Sequence, residues 1–298
     1  MNHISSRSYE DENDIQIIIG LLIKVRSPKH LDDHPAKVNI EEDLASGVVR
    51  ANTWLWFDDD QPIGWAYVDE FNNLWWEVDQ QYEELLGGQI VEWGEFCIQK
   101  AHNKGESPTL DSSCREDYTE RIAFLKRHGF QQTENATIAM VRDLFEPIPE
   151  PNLPQGFVIR SVAGLQEAEA IATTHRAAFG TEYMTTEKRL AMMKTSEYDP
   201  ALDLVVVAPD GTIAAYCSCS TNQQKMTGST DPVATHPGYQ HMGLARALLL
   251  TGLHLLKERG MKSAHLGTSD DNLAMQKAAE SVGFNVEYRT IWFSKPVN

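Results

Sequence analysis

No run of apolar residues in this 298-residue chain is long enough to cross a bilayer as a helix. The stretch from Met1 to Ile23 carries acidic residues where a signal peptide needs an uninterrupted apolar segment. The expectation is a protein without membrane attachment, not exported and housed in the cytoplasm. Cysteines are few: Cys97, Cys114, Cys217 and Cys219 have no metal-site spacing, so no metal is expected. Cys217 and Cys219, two apart on an expected strand, would face one side in a geometry too strained for an ordinary disulfide, and read as reduced core residues. The phosphate signature G-x-x-x-x-G-K-[ST] is absent, and no G-x-G-x-x-G follows a strand, which argues against a P-loop hydrolase and a dinucleotide-binding fold. Basic residues are also scarce, 26 Lys and Arg against 43 Asp and Glu, for a formal charge of −17. The imbalance is local. Residues 1–150 hold 13 basic against 29 acidic side chains, whereas residues 151–298 hold 13 against 14. Such a surface repels phosphate backbones and attracts amine-bearing cations, so nucleic acid is not an expected partner and a small cationic amine is.

The most informative stretch runs from Asp231 to Leu256. Asp231 to Thr235 reads as a short buried strand, stopped by Pro237-Gly238. A helix is expected from about Gln240, because Leu244, Ala247, Leu248, Leu255 and Leu256 recur near helical spacing. Gly243 and Ala245 would then lie in its first turn, where small residues let a ligand reach free N–H groups at the positive end of the helix dipole. The spacing predicts a pyrophosphate cradle directly after a strand.

The rest of the chain divides in two. Glu146 to Gln155 holds four prolines in ten residues and reads as a semi-rigid linker between residues 1–145 and 156–298. In the first part, strands are expected at Arg7-Ser8-Tyr9, Val49–Phe57, Pro62–Val68, Leu74–Val78 and Thr137–Leu144, with a further strand end at Leu110–Ser113. Helices are expected over Ile15–Ile23, over Tyr82–Ile98 with an interruption at Gly87-Gly88, and over Arg121–His128. After the linker the order restarts with a strand at Phe157–Ser161, helices over Gln166–Ala178 and Thr186–Thr195, and paired strands Leu202–Ala208 and Thr212–Cys219. Gly129-Phe130 and Gly283-Phe284 close the two halves alike, so the chain reads as an internal duplication.

Gln240-His241-Met242-Gly243-Leu244-Ala245, preceded by Thr235-His236-Pro237, resembles the acyl-CoA loop [QR]-x-x-G-x-[GA] of the GNAT N-acetyltransferases. The resemblance extends through the Leu-rich helix, a strand Ser263–Thr268 leading to Asn272, and the helix closing on Gly283-Phe284. Val78-Asp79-Gln80-Gln81-Tyr82-Glu83-Glu84-Leu85 stands at the cradle position of the first half without that loop. The whole chain is thus similar to tandem GNAT proteins, mycothiol synthase among them, with one degenerate repeat in a scaffolding or substrate-shaping role. The fold class implied is α/β (α+β): two GNAT domains, each a mixed, largely antiparallel sheet flanked by helices.

The resemblance further implies acetyl-CoA held by backbone N–H groups from Gln240 through His241, Met242, Gly243, Leu244 and Ala245 to Arg246, its pantetheine arm along Val233, Ala234 and Thr235, with Asn272 nearby. An acceptor amine would attack directly, without a covalent enzyme intermediate, after a base removes its proton. Asp231 is the first candidate, because regular alternation would put it on one face with Val233 and Thr235; His236 is the second. Many family members carry a Tyr where this chain has Ala279, so either Tyr288 or Tyr216 serves as proton donor or the thiolate, a modest base, leaves unassisted. Phe179–Thr186, Tyr216 and Trp292 are expected around the acceptor. The expected activity is acetyl transfer to a primary amine; a non-catalytic acyl-CoA-binding or interaction protein is the alternative, a mycothiol-type acceptor is disfavoured because the sequence carries no signature for it, and a homodimer is compatible with each.

Overall fold

The computed structural model describes residues 4–101, 107–195 and 198–297. The chain forms two compact units, one of Met1–Ala136 with Thr290–Asn298, the other of Thr137–Arg289. These differ from two consecutive halves in one respect: each unit contains the closing strand segment that follows the other along the chain.

The first unit begins with β1 (Ile4–Ser8) and α1 (Asn13–Val25), then two short helices, α2 (Lys37–Asp43) and α3 (Gly47–Ala51). β2 (Thr53–Asp58), β3 (Gln61–Val68) and β4 (Leu74–Val78) follow, and β1 to β4 make an antiparallel sheet in chain order. Alternation along these strands feeds two cores. Leu55, Trp65, Tyr67 and Trp75 pack with Ile18 and Leu22 of α1. Trp56, Ala66, Val68 and Trp76 face the other way, onto Leu86 and Ile90 of α4 (Glu83–Ala101). β5 (Thr109–Arg115), α5 (Thr119–Arg127) and the start of β6 (Gln131–Asp143) complete the run, with residues 290–296 paired to β5.

Two expectations fail here for local reasons. Val49–Phe57 is not one strand, because Ser46 Oγ accepts the Val48 N–H at 3.3 Å and caps α3, which delays the strand to Thr53. Helix α4 runs unbroken through Gly87-Gly88. At Gly87 a Cβ would come within 2.8 Å of His128 Nε2 and 3.0 Å of Phe124, so glycine serves the close approach of α5.

The second unit repeats the order: β7 (Val158–Ser161), α6 (Ala168–Phe179), α7 (Thr186–Met192), β8 (Asp203–Val207), β9 (Ile213–Asn222), β10 (Thr227–Thr235), α8 (Leu244–Glu258), β11 (Ser263–Ser269), α9 (Leu273–Glu280) and the start of β12 (Asn285–Pro296), whose residues from Thr290 on belong to the first unit. Residues 146–157 carry no regular secondary structure. Residues 137–143 of β6 pair with β11, and the sheet continues β11-β10-β9-β8-β7. Every pairing along it is antiparallel except β10 with β11. One face carries α8, with Leu244 and Leu248 on Val206, Ala215 and Cys217. The other carries α6 and α7, with Ile171 and Met193 on Val205, Tyr216 and Ala234. Among the described residues no helix is long and apolar enough to cross a membrane.

Two glycines test this packing. A Cβ at Gly228 of β10 would meet Leu256 of α8 at 2.5 Å, and Leu256 is fully buried. Gly228→Ala should therefore destabilise the chain by about 1–3 kcal/mol. Gly20→Ala on the exposed side of α1, where a Cβ meets nothing within 4 Å, should stabilise it by roughly 0.5–1 kcal/mol. Thermal unfolding of the two variants should shift in opposite directions.

Candidate active site

β10 and β11 hold a parallel ladder only from Thr227 to Ser229, opposite Ser263 to His265. Beyond it β10 stays on β9 to Thr235 while β11 stays on β6 to Ser269, so the two strands part. One extra residue enters β10 at the parting: Thr230 stands opposite Cys219, yet Val233 stands opposite Cys217. The fork opens into a cavity of about 340 Å³. Its walls are the end of β10, the segment from Tyr239 to Arg246 apart from Met242, residues around α9, and Ala178 and Phe179 of α6.

The predicted cradle residues largely converge on this cavity. Val233, Ala234, Thr235, Gln240, His241, Gly243, Leu244, Ala245, Arg246 and Asn272 all line it. Met242 does not, and is 39% exposed. The helix begins later than the spacing suggested. Pro237–Tyr239 forms a 3-10 turn, His241 and Gly243 take left-handed φ of 63° and 79°, and α8 starts at Leu244 with Gly243 as its N-cap. Gly243 supplies no side chain to cap the helix. Ala247 is the first residue to return its N–H to the Gly243 carbonyl, at 3.0 Å. The N–H groups of Leu244, Ala245 and Arg246 are therefore the open end of a 15-residue helix, at the wall of the cavity, where its dipole favours an anion. A Cβ at Gly243 would touch nothing within 4 Å, so the positive φ, not crowding, requires glycine. Asn272 does two things: its Oδ1 accepts the Met275 N–H at 3.1 Å as N-cap of α9, and it lines the cavity.

The proton-transfer candidates are placed differently. Asp231 sits in the bulge, and the extra residue breaks the two-residue alternation that was to align it with Val233 and Thr235. Val233 instead shares a face with Thr230, since their partners Cys217 and Cys219 do. The Asp231 carboxylate reaches across the fork, with Oδ2 3.6 Å from where a Cβ of residue 267 on β11 would stand. One side of the residue is open to solvent, yet the protein crowding its carboxylate pushes the pKa above the ordinary value. A Gly267 N–H partly offsets that rise. His236 turns away from the cavity. Its Nδ1 accepts the Gly238 N–H at 3.1 Å, and its ring lines a separate hollow with Glu167, Thr173 and Thr174. Tyr288 lies on β12 and is not a wall residue of the cavity. Ala279 is fully buried among the residues under α9.

On the α6 face of the sheet, the face that also carries Ala234, lies a polar group that the sequence did not mark. Tyr216, on β9 directly opposite Ala234, is buried, and its hydroxyl is 2.5 Å from His175 Nδ1. Nearby, Asp203 binds Arg189, accepts from Tyr198 Oη at 2.7 Å and from Ser218 Oγ at 2.9 Å. The only available signal for His175 was its four-residue offset from Phe179. Of the expected acceptor residues, Tyr183 is exposed under Lys188 Nζ at 3.5 Å, and Met184 is buried. Trp292 belongs to the first unit, packed edge-on against Trp75 at 6.5 Å.

The first unit keeps the fork but not its chemistry. Among the described residues, an isolated parallel bridge from Asn73, just before β4, to Asp111 of β5 links the two strands, and a hollow of about 550 Å³ lies at the far end of β4, lined by Glu77, Val78 and Asp79. Asp79 Oδ1 accepts the loop N–H of Gln81 at 3.4 Å, and Glu83 and Glu84 begin α4. Buried Glu77 takes Arg26 Nε at 2.6 Å and Arg121 at 2.8 Å. The chain's own carboxylates occupy the place of an anion.

Residues 168–284 match the family model described as Acetyltransferase (GNAT) family. A mycothiol acetyltransferase of Nocardia farcinica is 32% identical over 154 residues, 49% of this chain and 51% of that protein. Another, of Acidothermus cellulolyticus, is 27% identical and covers 78% of this chain and 76% of its own. The chain spans about half the length of most of the curated relatives it matches. Among solved structures, a GCN5-related N-acetyltransferase from Sphaerobacter thermophilus superposes with a TM-score of 0.78 at 22% identity, covering 99% of this chain and 96% of its own. A tandem GNAT protein from the clavulanic acid biosynthesis pathway gives 0.72 at 14% identity, covering 100% and 99%. With the match beginning at Ala168 of α6 and ending at Phe284, and the whole chain superposed on a tandem structure, residues 168–284 match the GNAT acetyltransferase family within a chain that has the tandem GNAT fold.

Proposed function

We propose that the chain transfers the acetyl group of acetyl-CoA to a primary amine of a small acceptor. The observation that carries this reading is the uncapped start of α8 opening into the β10–β11 fork. Leu244, Ala245 and Arg246 N–H would hold the diphosphate, as the positive end of the helix and the absence of any Cβ at Gly243 both favour. The free edge of β10 from Val233 to Thr235 offers backbone groups to an extended arm, as one more strand would. Acetyl-CoA, when bound, supplies an activated thioester.

Asp231 is the base we assign to the ammonium proton of the acceptor. It lies in the fork, and a carboxylate with a raised pKa accepts a proton more readily than an ordinary one. The acidic first half of the sequence favours a cationic acceptor. Similarity to mycothiol acetyltransferases puts a mycothiol-type acceptor first among those to test, although the sequence itself carries no signature for one. A binding protein without turnover is the other reading, favoured by the buried Ala279 where an acid was sought. Release of free thiol in the presence of an amine panel separates the two, since both bind acetyl-CoA.

Gly243→Glu should weaken acetyl-CoA binding at least about tenfold by calorimetry with an unchanged circular dichroism spectrum. A non-glycine residue there adds roughly 1–2 kcal/mol of left-handed strain, and its carboxylate opposes phosphate. Undiminished binding would remove the cradle assignment. For Asp231 the ionised form is the active one, so kcat/KM should fall as pH drops through a pKa raised above the usual 3.8. Asp231→Asn should abolish that limb and lower kcat by about 10²–10⁴-fold.

A further inference from the structure

Acetyl transfer to an ammonium releases two protons from nitrogen, and Asp231 accounts for one. The second must leave as nitrogen bonds to carbon, and the departing sulfur needs one. The position where a family tyrosine would donate is Ala279, fully buried. The one face of α6 that reaches the cavity carries a titratable group one turn before the wall: His175, Ala178 and Phe179 are spaced i, i+3 and i+4, and the last two line the cavity. The His175 and Phe179 rings are 4.5 Å apart. Beneath His175, Tyr216 rises from β9 opposite Ala234, another wall residue, and holds Nδ1 at 2.5 Å. The neighbouring Thr174 pins α6 to β9 through its hydroxyl on the Ile213 carbonyl at 2.9 Å. The imidazole is thus a half-buried group, fixed at one nitrogen, at the α6 side of the fork.

We propose that His175 is the proton shuttle of the transfer, and that Tyr216 positions it. This rests on the acetyl-transfer reading above. His175 Nε2 takes the proton that the acceptor nitrogen sheds as the N–C bond forms, and returns it to sulfur as the C–S bond breaks, so that amide and free thiol result and the imidazole ends neutral. The role requires Nδ1–H to donate to the Tyr216 oxygen, leaving the Nε2 lone pair outward. Burial, with Arg189 and Arg176 nearby, lowers the His175 pKa and keeps the ring neutral before turnover.

Nitrogen NMR of the ligand-free protein with labelled histidine tests the tautomer. The neutral His175 ring should show its proton on Nδ1 in the unsubstituted chain, and a mixture of tautomers in Tyr216→Phe. A proton resident on Nε2 in the unsubstituted chain would overturn the proposal. His175→Ala should keep acetyl-CoA affinity within about twofold by calorimetry, lose about 10²–10⁴ in kcat, and regain part of it with added imidazole. His175→Gln, which keeps bulk, should be equally slow. Either variant turning over within about twofold of the unsubstituted chain sinks the shuttle while leaving the acetyl-transfer reading intact. An unsubstituted chain that binds no acetyl-CoA sinks both.

Discussion

Three residues of parallel pairing, Thr227 to Ser229 on β11, hold two strands together before one extra residue in β10 lets them part. A sheet closed along its whole length would have spent the backbone N–H and C=O groups of Val233 to Thr235 on a neighbour. Left open, they face a cavity whose far wall is the start of α8. The fork therefore does two jobs with one break. It frees a strand edge, and it sets that edge beside a helix end that no side chain caps. Gly243 and His241 at positive φ bring the loop round between them.

The two repeats show what the fork is without its loop. In the first unit the strands also part, but Asp79 meets the loop amide and Glu83 begins the helix. Glu77 lies fully desolvated between Arg26 and Arg121, and Arg121 also covers the Trp76 ring at 4.3 Å. Such a triad is held by mutual charge and not by any bound anion; removing one member would leave the others buried and uncompensated. The same architecture thus supports an open anion cradle in one copy and a self-satisfied ion cluster in the other.

Much of this was legible in residue order. The glycine-containing loop, its placement after Thr235 and the Leu-rich run behind it located the cavity wall, because these are local patterns with local causes. What escaped were features set by partners distant in sequence. The start of α8 at Leu244 depends on left-handed His241, a conformation that residue type alone does not announce. The bulge that separates Asp231 from the face of Val233 is visible only against the register of β9. His175 acquires meaning only when α6 is laid over Tyr216, and Gly87 reads as a helix breaker until α5 is seen to crowd it.

The exchange of closing strand segments bears on how the chain is made. Ala136 ends one part of the first unit, and its remaining piece, from Thr290, leaves the ribosome only after all of Thr137–Arg289 has been translated. The first unit must wait, with β5 lacking its neighbour, while the second, already holding residues 137–143 from upstream, can close in a single pass. Severing the chain within the proline-rich segment at 146–155 would strand one closing segment on each fragment, so neither repeat can be liberated whole by one cut there.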